Sequence, residues 1–414
     1  MDQSAGGRSR WLIVMLPFGL GYAVAMGTRS INAILAHPLE TELGLTSAEL
    51  GVITATFLIT FALAQLPLGL LLDRWGARVT HALFFVIGGI GMILFGLASD
   101  PVVLALARGL LGIGMATGLM GAFKGITEWF PRDRIAYYNG LILAAGGLGA
   151  VLATSPAKFL EGEFGWRVVC FVFGVAAFAV AAIVLLLYRD RNVATPTSFR
   201  DEVSGLIAIY RDRFFWAIAP LFAINAGVFI AMQGLWFGPW FQKVVGLTPQ
   251  VSAHYLLAVT LSMTVGYLCG GWFASLGKRI GRPATFVIGV AAALGIAFQV
   301  ALIVGIAERS LLLWFVYIFV VQVVMVNYAL LAEHFGQERA GRAVTAGNIL
   351  VFLAAAIAQF GFGIIASLWP STDAATGFRV AFAVLVALQA VALVWFVVRL
   401  TGAKAAAASQ DAKA

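Results

Sequence analysis

The feature that most limits what this chain can fold into is its rhythm. Runs of roughly 20 predominantly apolar residues, the length an α-helix needs to cross a bilayer's hydrocarbon, recur with short polar breaks between them. Twelve such runs can be read, at 11–35, 48–71, 80–98, 102–128, 135–157, 167–188, 214–240, 251–275, 283–306, 310–332, 343–368 and 376–399. The chain is 61% hydrophobic and 11% charged, too few charges for a soluble surface, which carries about 25%. In lipid every backbone polar group must find a partner within the protein, and helices do this internally. The prediction is an all-α membrane protein with 12 transmembrane helices.

Several alternatives fall away. The formal charge of +8 could suggest nucleic acid, but the basic residues lie between apolar runs, where the membrane surface is their natural partner. Cys170 and Cys269 each sit inside an apolar run and read as packed thiols. The segment from Met1 to Arg10 leads into a run too long for a cleaved signal peptide, so it reads as the first span. With the N-terminus inside, 19 of the 27 Lys and Arg residues fall in cytoplasmic segments and 5 on the opposite side. The positive-inside rule then places both termini in the cytoplasm.

The longest polar interruption, 189–213, separates six runs from six. The expected organisation is an N-terminal six-helix bundle (1–188), a cytoplasmic linker (189–213), a C-terminal bundle (214–402) and a cytoplasmic tail (403–414). Ser198 and Asp201 form a helix-capping signal, and Phe199, Val203, Leu206, Ile207 and Tyr210 follow at helical spacing. A short amphipathic surface helix is predicted there. The halves also echo each other: Gly69, Asp73, Gly76 and Arg78 align with Gly270, Ala274, Gly277 and Arg279, and Glu128 and Arg134 with Glu333 and Arg339. Such repeats generate a central pathway between two bundles.

Between runs two and three the chain reads Gly69-Leu-Leu-Leu-Asp73-Arg74-Trp-Gly76-Ala-Arg78. This resembles the signature loop of the major facilitator superfamily, G-x-L-x-D-R-x-G-x-R, at every specified position. Arg108-Gly-Leu-Leu-Gly112-Ile-Gly114 is similar to that superfamily's helix-4 pattern, and Glu128-Trp-Phe-Pro-Arg-Asp-Arg134 to the loop that closes helix 4. The resemblance covers residues 11–399. It implies two six-helix bundles around a central cavity and solute transport by alternating access. Asp73 and Arg74 would pair across the cytoplasmic face of the bundles. Glu128 and Glu333, beside Arg134, Arg339 and Arg342, would form gate salt bridges that break during rocking.

An ionisable group inside a span is presumed functional. Arg29 lies deep in the first run, and Tyr22, seven residues earlier, shares its helical face. The segment Tyr22 to Asn32 is similar to the helix-1 segment of the anion–cation symporter and organophosphate branches. There the helix-1 arginine grips the substrate anion, a geometry suited to carboxylate or phosphate. The sugar-acid carriers of that branch have acids where this chain has Thr28 and Met115. No acidic residue falls in the middle of a span, and His37, His81, His254 and His334 all lie near span ends.

Arg108 could contact substrate or pair with backbone carbonyls. Lys124 is expected to pair with Glu128 four residues on. The resemblance implies that helices 1, 4, 7 and 10 line the cavity. This adds Asn225, Gln233 and Trp236 from helix 7 and Tyr317, Gln322, Asn327 and Tyr328 from helix 10, with Asn348 and Gln359 from helix 11. Gly238-Pro239 should break or kink helix 7.

The leading expectation is a monomeric plasma-membrane carrier (inner membrane in a bacterium) for a small organic anion, with Arg29 as its fixed positive site. A proton-driven drug or metabolite exporter is the second reading, against which helix 5 lacks the exporters' glycine–proline pair. A non-transporting receptor or assembly factor on the same scaffold is the third. No nucleotide loop, catalytic triad, metal-ligand cluster or cofactor motif is apparent, so no enzyme activity, metal or cofactor is expected.

Overall fold

A computed structural model of the 414-residue chain describes residues 3–131, 134–191 and 199–411. The described residues are helical almost throughout and include no strand. Among the described residues, eleven stretches are long and apolar enough to cross a membrane. One of them, Ser47–Leu97, has 51 residues and would span about 75 Å if straight, more than twice the hydrocarbon thickness. It is broken at Gly76, whose φ of 78° and ψ of 170° are non-helical. Two passes on either side of that turn bring the total to twelve.

The first pass is α1 (Gln3–Ser30) continued by α2 (Asn32–Leu43), and α3 (Ser47–Leu97) supplies passes two and three. Pass four joins α4 (Pro101–Met115) to α5 (Thr117–Trp129), pass five α6 (Ile135–Leu152) to α7 (Ser155–Phe164), and α8 (Trp166–Leu187) is pass six. After the linker helix α9 (Phe199–Tyr210), pass seven runs through α10 (Arg213–Ala231), a π-turn at Met232–Trp236 and α11 (Phe237–Lys243). Pass eight is α12 (Pro249–Leu268) with α13 (Gly270–Arg279), and pass nine is α14 (Ala284–Ile303). Pass ten begins as α15 (Leu311–Val321) and continues into α16 (Val326–Ser367), which is broken at Gly336 and so also supplies pass eleven. Pass twelve is α17 (Ala374–Asp411). With an even number of passes both chain ends lie on one side, called here the termini side; the other is the far side.

Local chemistry marks where passes enter. Thr46 forms a capping box: its hydroxyl accepts from the Glu49 N–H at 3.2 Å and Glu49 accepts from the Thr46 N–H at 2.8 Å. Asp100, Thr248 and Ser310 likewise cap α4, α12 and α15, each contribution worth about 1 kcal/mol. The expected disturbance of helix 7 is present, one turn before the proline. Pro239 has no N–H and its ring crowds the carbonyl four residues back. The π-turn at Met232–Trp236 absorbs this, and the helix then continues to Lys243.

One hydrophobic core runs through the first half and into the far side of the second, where Trp236, Trp240, Phe362 and Phe378 are buried. A second core, with Phe215, Phe222, Phe273 and Leu331, is built mainly from the second half and the linker helix, and Leu66 of pass two packs against it. The linker helix is present at Phe199–Tyr210; Ser198, its predicted cap, lies outside the described residues. It buries Leu206 and Ile209, and the Tyr210 hydroxyl donates to the Ala346 carbonyl at 3.1 Å. Ile207 is exposed.

Candidate functional site

Between the halves lies a cavity of about 400 Å³, within the range that holds small-molecule ligands. Its walls follow helical spacing. Tyr22, Ala25, Met26 and Arg29 form one stripe of α1, and Phe57, Phe61 and Gln65 descend three successive turns of pass two. Pass four contributes Met115, Leu119, Met120 and Phe123. From the second half come Ala226, Phe229 and Ile230 of α10, Tyr267 of α12, Tyr328 of pass ten, and Val344, Asn348, Val351 and Phe352 of pass eleven.

Arg29 is the single charged residue among these lining groups. Its Nε has no hydrogen-bond partner, and the Tyr267 hydroxyl lies against its guanidinium. Tyr328 donates its hydroxyl to Asn348 Oδ1 at 2.9 Å. Thus Arg29, Tyr22 and Tyr328 come together as candidate site residues. Tyr267 is missing from the sequence-based set, because pass eight was not expected to reach the cavity; a lone tyrosine late in an apolar run was the available signal.

The other candidates lie elsewhere. Arg108 shares a face of α4 with Met115 but sits seven residues, about 10 Å, toward the far side. It is completely buried, donates from Nη1 to the Thr28 carbonyl at 3.2 Å and stacks 4.4 Å over the Phe95 ring. Gln233 donates to Ser30 Oγ at 3.1 Å, joining the two halves. The Trp236 indole donates to the Gln359 carbonyl at 3.2 Å and stacks on Phe362. Tyr317 packs against Trp314, and Asn327 donates to the Val324 carbonyl at 2.8 Å. Asn225 lines a separate small crevice with Gln299 and Gln389. Gln322 is buried and donates to the Ile318 carbonyl.

The far side of the cavity is closed by contacts between halves. Lys243 pairs with Glu40 at 2.7 Å, and Ser155 Oγ donates to the Ala253 carbonyl at 3.2 Å. Backbones also meet: a side chain at Gly238 would collide with the Ala33 carbonyl, and one at Gly363 with that of Ser47. Beside this closure Glu42 accepts from the Trp166 indole and the Arg167 guanidinium. Those two hydrogen bonds hold its carboxyl below the ordinary value of 4.5.

On the termini side the signature loop folds onto its own half. Gly76 turns with a positive φ beside the Asp190 carboxylate, which accepts from the Ala77 and Arg78 N–H groups at 2.6 and 3.2 Å. Arg78 donates to the Leu185 carbonyl, Arg74 is exposed, and a side chain at Gly69 would meet open space. Lys124 pairs with Asp73 at 2.8 Å. This corrects the expected i,i+4 pair with Glu128, because α5 turns the lysine toward the end of pass two. Glu128 instead accepts from the Tyr188 hydroxyl at 2.8 Å and the Arg191 N–H at 3.2 Å. Arg134, Glu333 and Arg339 are exposed, and Arg342 packs along Gly205 of the linker helix.

His81 departs from its expected place near a span end. The turn at Gly76 starts pass three early enough for the imidazole to be fully buried. It is stacked on Phe85, edge-on to Phe18 and 3.4 Å from Thr117 Oγ1.

Residues 18–359 match the model of the Major Facilitator Superfamily. The chain is 26% identical over 290 residues to the hexuronate transporter of Escherichia coli (strain K12), covering 65% of this chain and 66% of that one. It is 24% identical over 298 residues to a D-galactonate transporter of Escherichia coli O6:H1, covering 66% and 69%. Among solved structures, a bacterial homologue of the human lysosomal transporter Spinster, described as inward-facing and unoccupied, superposes with a TM-score of 0.78 over 96% of this chain and 98% of that one, at 18% identity. That likeness concerns the fold.

Proposed function

The chain belongs to the Major Facilitator Superfamily, and from that premise we propose that it carries a small organic anion across the membrane by alternating access, with Arg29 as the anion site. The observation that carries this reading is Arg29 itself: among the described residues, the one charged group lining the cavity between the halves, with an Nε that no protein acceptor occupies. A guanidinium facing an apolar cavity favours a carboxylate, which it can hold through two parallel hydrogen bonds. Relatives named for hexuronate and D-galactonate, both carboxylates, support the class.

In this reading the two six-helix halves move about the cavity as bodies. With both termini in the cytoplasm, the closed far side makes this an inward-facing form. Opening the far side would release Gln233 from Ser30 and bring it toward the pathway. The Gly69–Arg78 loop with Glu128 and Arg134, and Glu333, Arg339 and Arg342 of the second half, would then meet on the cytoplasmic face. Coupling to protons would have to use a group other than a cavity carboxylate, since the lining contains none.

The test is counterflow of carboxylates in liposomes containing purified protein. Arg29→Gln should lower transport by about 100-fold, the scale of losing one partner of an enclosed charge pair, while the variant keeps its melting temperature. Carboxylate transport that survives Arg29→Gln unchanged would overturn the assignment.

A further inference from the structure

We propose that the preferred anion has a single charge and an apolar body, as an aromatic or aliphatic monocarboxylate does, rather than the hydroxyl-covered body of a sugar acid. The proposal rests on reading Arg29 as the anion site and narrows what that site accepts.

The cavity is polarised. Its cation stands on one stripe of α1, and the walls facing it on passes two, four and seven are aromatic, methionine and aliphatic at successive helical turns. Phe57, Phe61, Met120, Phe123, Phe229 and Ile230 are such groups. Beyond Arg29, the polar lining consists of three tyrosine hydroxyls and the amides of Gln65 and Asn348. Part of that set is already engaged: Tyr267 faces Arg29, and Tyr328 donates to Asn348. A polyhydroxylated acid has a hydroxyl on almost every carbon, and each must exchange water for a protein partner or be left unpaired. This cavity offers too few partners to do that. An apolar body needs none, and gains by leaving water for the phenylalanine and methionine surface. Methionine also adapts to irregular apolar shapes, so a range of hydrocarbon bodies should be accepted behind one carboxylate.

The specificity also follows from an asymmetry in recognition. A site built with hydrogen-bonding groups rejects ligands that lack them strongly, whereas an apolar wall discriminates between hydrocarbon shapes only weakly. The expectation is therefore broad acceptance among apolar monocarboxylates and poor acceptance of their hydroxylated counterparts.

The experiment uses the full-length purified protein in liposomes, with phenylacetate, benzoate and hexanoate compared against glucuronate and galactonate as exchange substrates and competitors. Benzamide serves as the uncharged control. Phenylacetate or hexanoate should compete at least about tenfold better than glucuronate, the scale of a few unpaired hydroxyls in an apolar site. Benzamide should not compete. Equal or better competition by glucuronate or galactonate overturns this inference and leaves the anion reading standing. Benzamide competing as well as benzoate, or no carboxylate exchanging at all, overturns the anion reading and this inference with it.

A second arm uses binding rather than transport. Met120→Gln and Ile230→Asn, each checked for an unchanged melting temperature without ligand, should lower the thermal stabilisation by phenylacetate and narrow its margin over glucuronate. If both folded variants keep the wild-type margin, the apolar wall does not set specificity and the inference fails.

Discussion

The two ends of the seam between the halves are built differently. At the far end several polar and backbone contacts cross the seam: Lys243 to Glu40, Gln233 to Ser30, Ser155 to the Ala253 carbonyl, and the close approach of Gly238 to Ala33. At the termini end the contacts of the first half stay within it: Lys124 to Asp73, Tyr188 to Glu128, and the Ala77 and Arg78 amides to Asp190. The proposed rocking of one half against the other would therefore break the first set and leave the second intact. The difference separates groups that hold a conformation from groups that hold a bundle. It also shows what seals the far end. An ion pair at a partly exposed site is worth about 1 kcal/mol or less, so close backbone packing must supply most of the closure.

Four substitutions sharpen or break this comparison. The largest effect is expected from Gly238→Val, which drives a side chain into the Ala33 carbonyl at a cost of about 1–3 kcal/mol. It should push the far end apart, so that a cysteine placed there reacts about tenfold faster with an impermeant maleimide, as a 1.4 kcal/mol shift implies. Unchanged labelling would erase the distinction between the ends. Gly76→Ala should cost a similar or slightly smaller amount, about 1–3 kcal/mol, through its positive φ and its contact with Asp190. Here the loss should appear in the melting temperature while far-end labelling stays at the wild-type rate.

Lys243→Gln removes the cross-seam ion pair and should shift labelling by no more than about fivefold, corresponding to about 1 kcal/mol. The smallest effect belongs to Glu42→Gln. The bonds from Trp166 and Arg167 lower the Glu42 pKa in the folded protein, so its contribution is present above the ordinary carboxylate value and disappears as pH falls through the lowered one. Melting temperatures of variant and wild type should differ slightly at neutral pH and converge in acid. Because Glu42 bonds within the first half, labelling should not respond at either pH.

Much of the architecture was legible in the residues. Apolar runs of spanning length and the polar gap near the middle follow local rules that tertiary packing leaves alone. One stripe of the cavity was legible too, because Tyr22 and Arg29 are seven residues apart on one helix. Asn225, Gln233, Trp236, Tyr317 and Asn327 are cavity candidates only on the expectation that helices 7 and 10 line the pathway. In this structure they lie in the closed far end or in the wall of the second half. Tyr267 was missed for the converse reason, since its place beside Arg29 depends on how pass eight packs across the seam. Local spacing was also insufficient for Lys124, which had two acidic groups within reach, one on its own helix and one on another.

The sequence alone determined that lipid is this protein's solvent, that its chain crosses about twelve times, and that a guanidinium stands inside the first span. These follow from transfer free energy and helical periodicity, which act over one or two turns. Only the tertiary structure decided which of two membrane-embedded arginines faces an open cavity and which is sealed against a carbonyl and a phenyl ring. Burial and packing depend on the groups that neighbouring helices bring within a few ångströms. Residues far apart in the chain, such as Arg29 and Tyr267, acquire their relation only when the two halves pack.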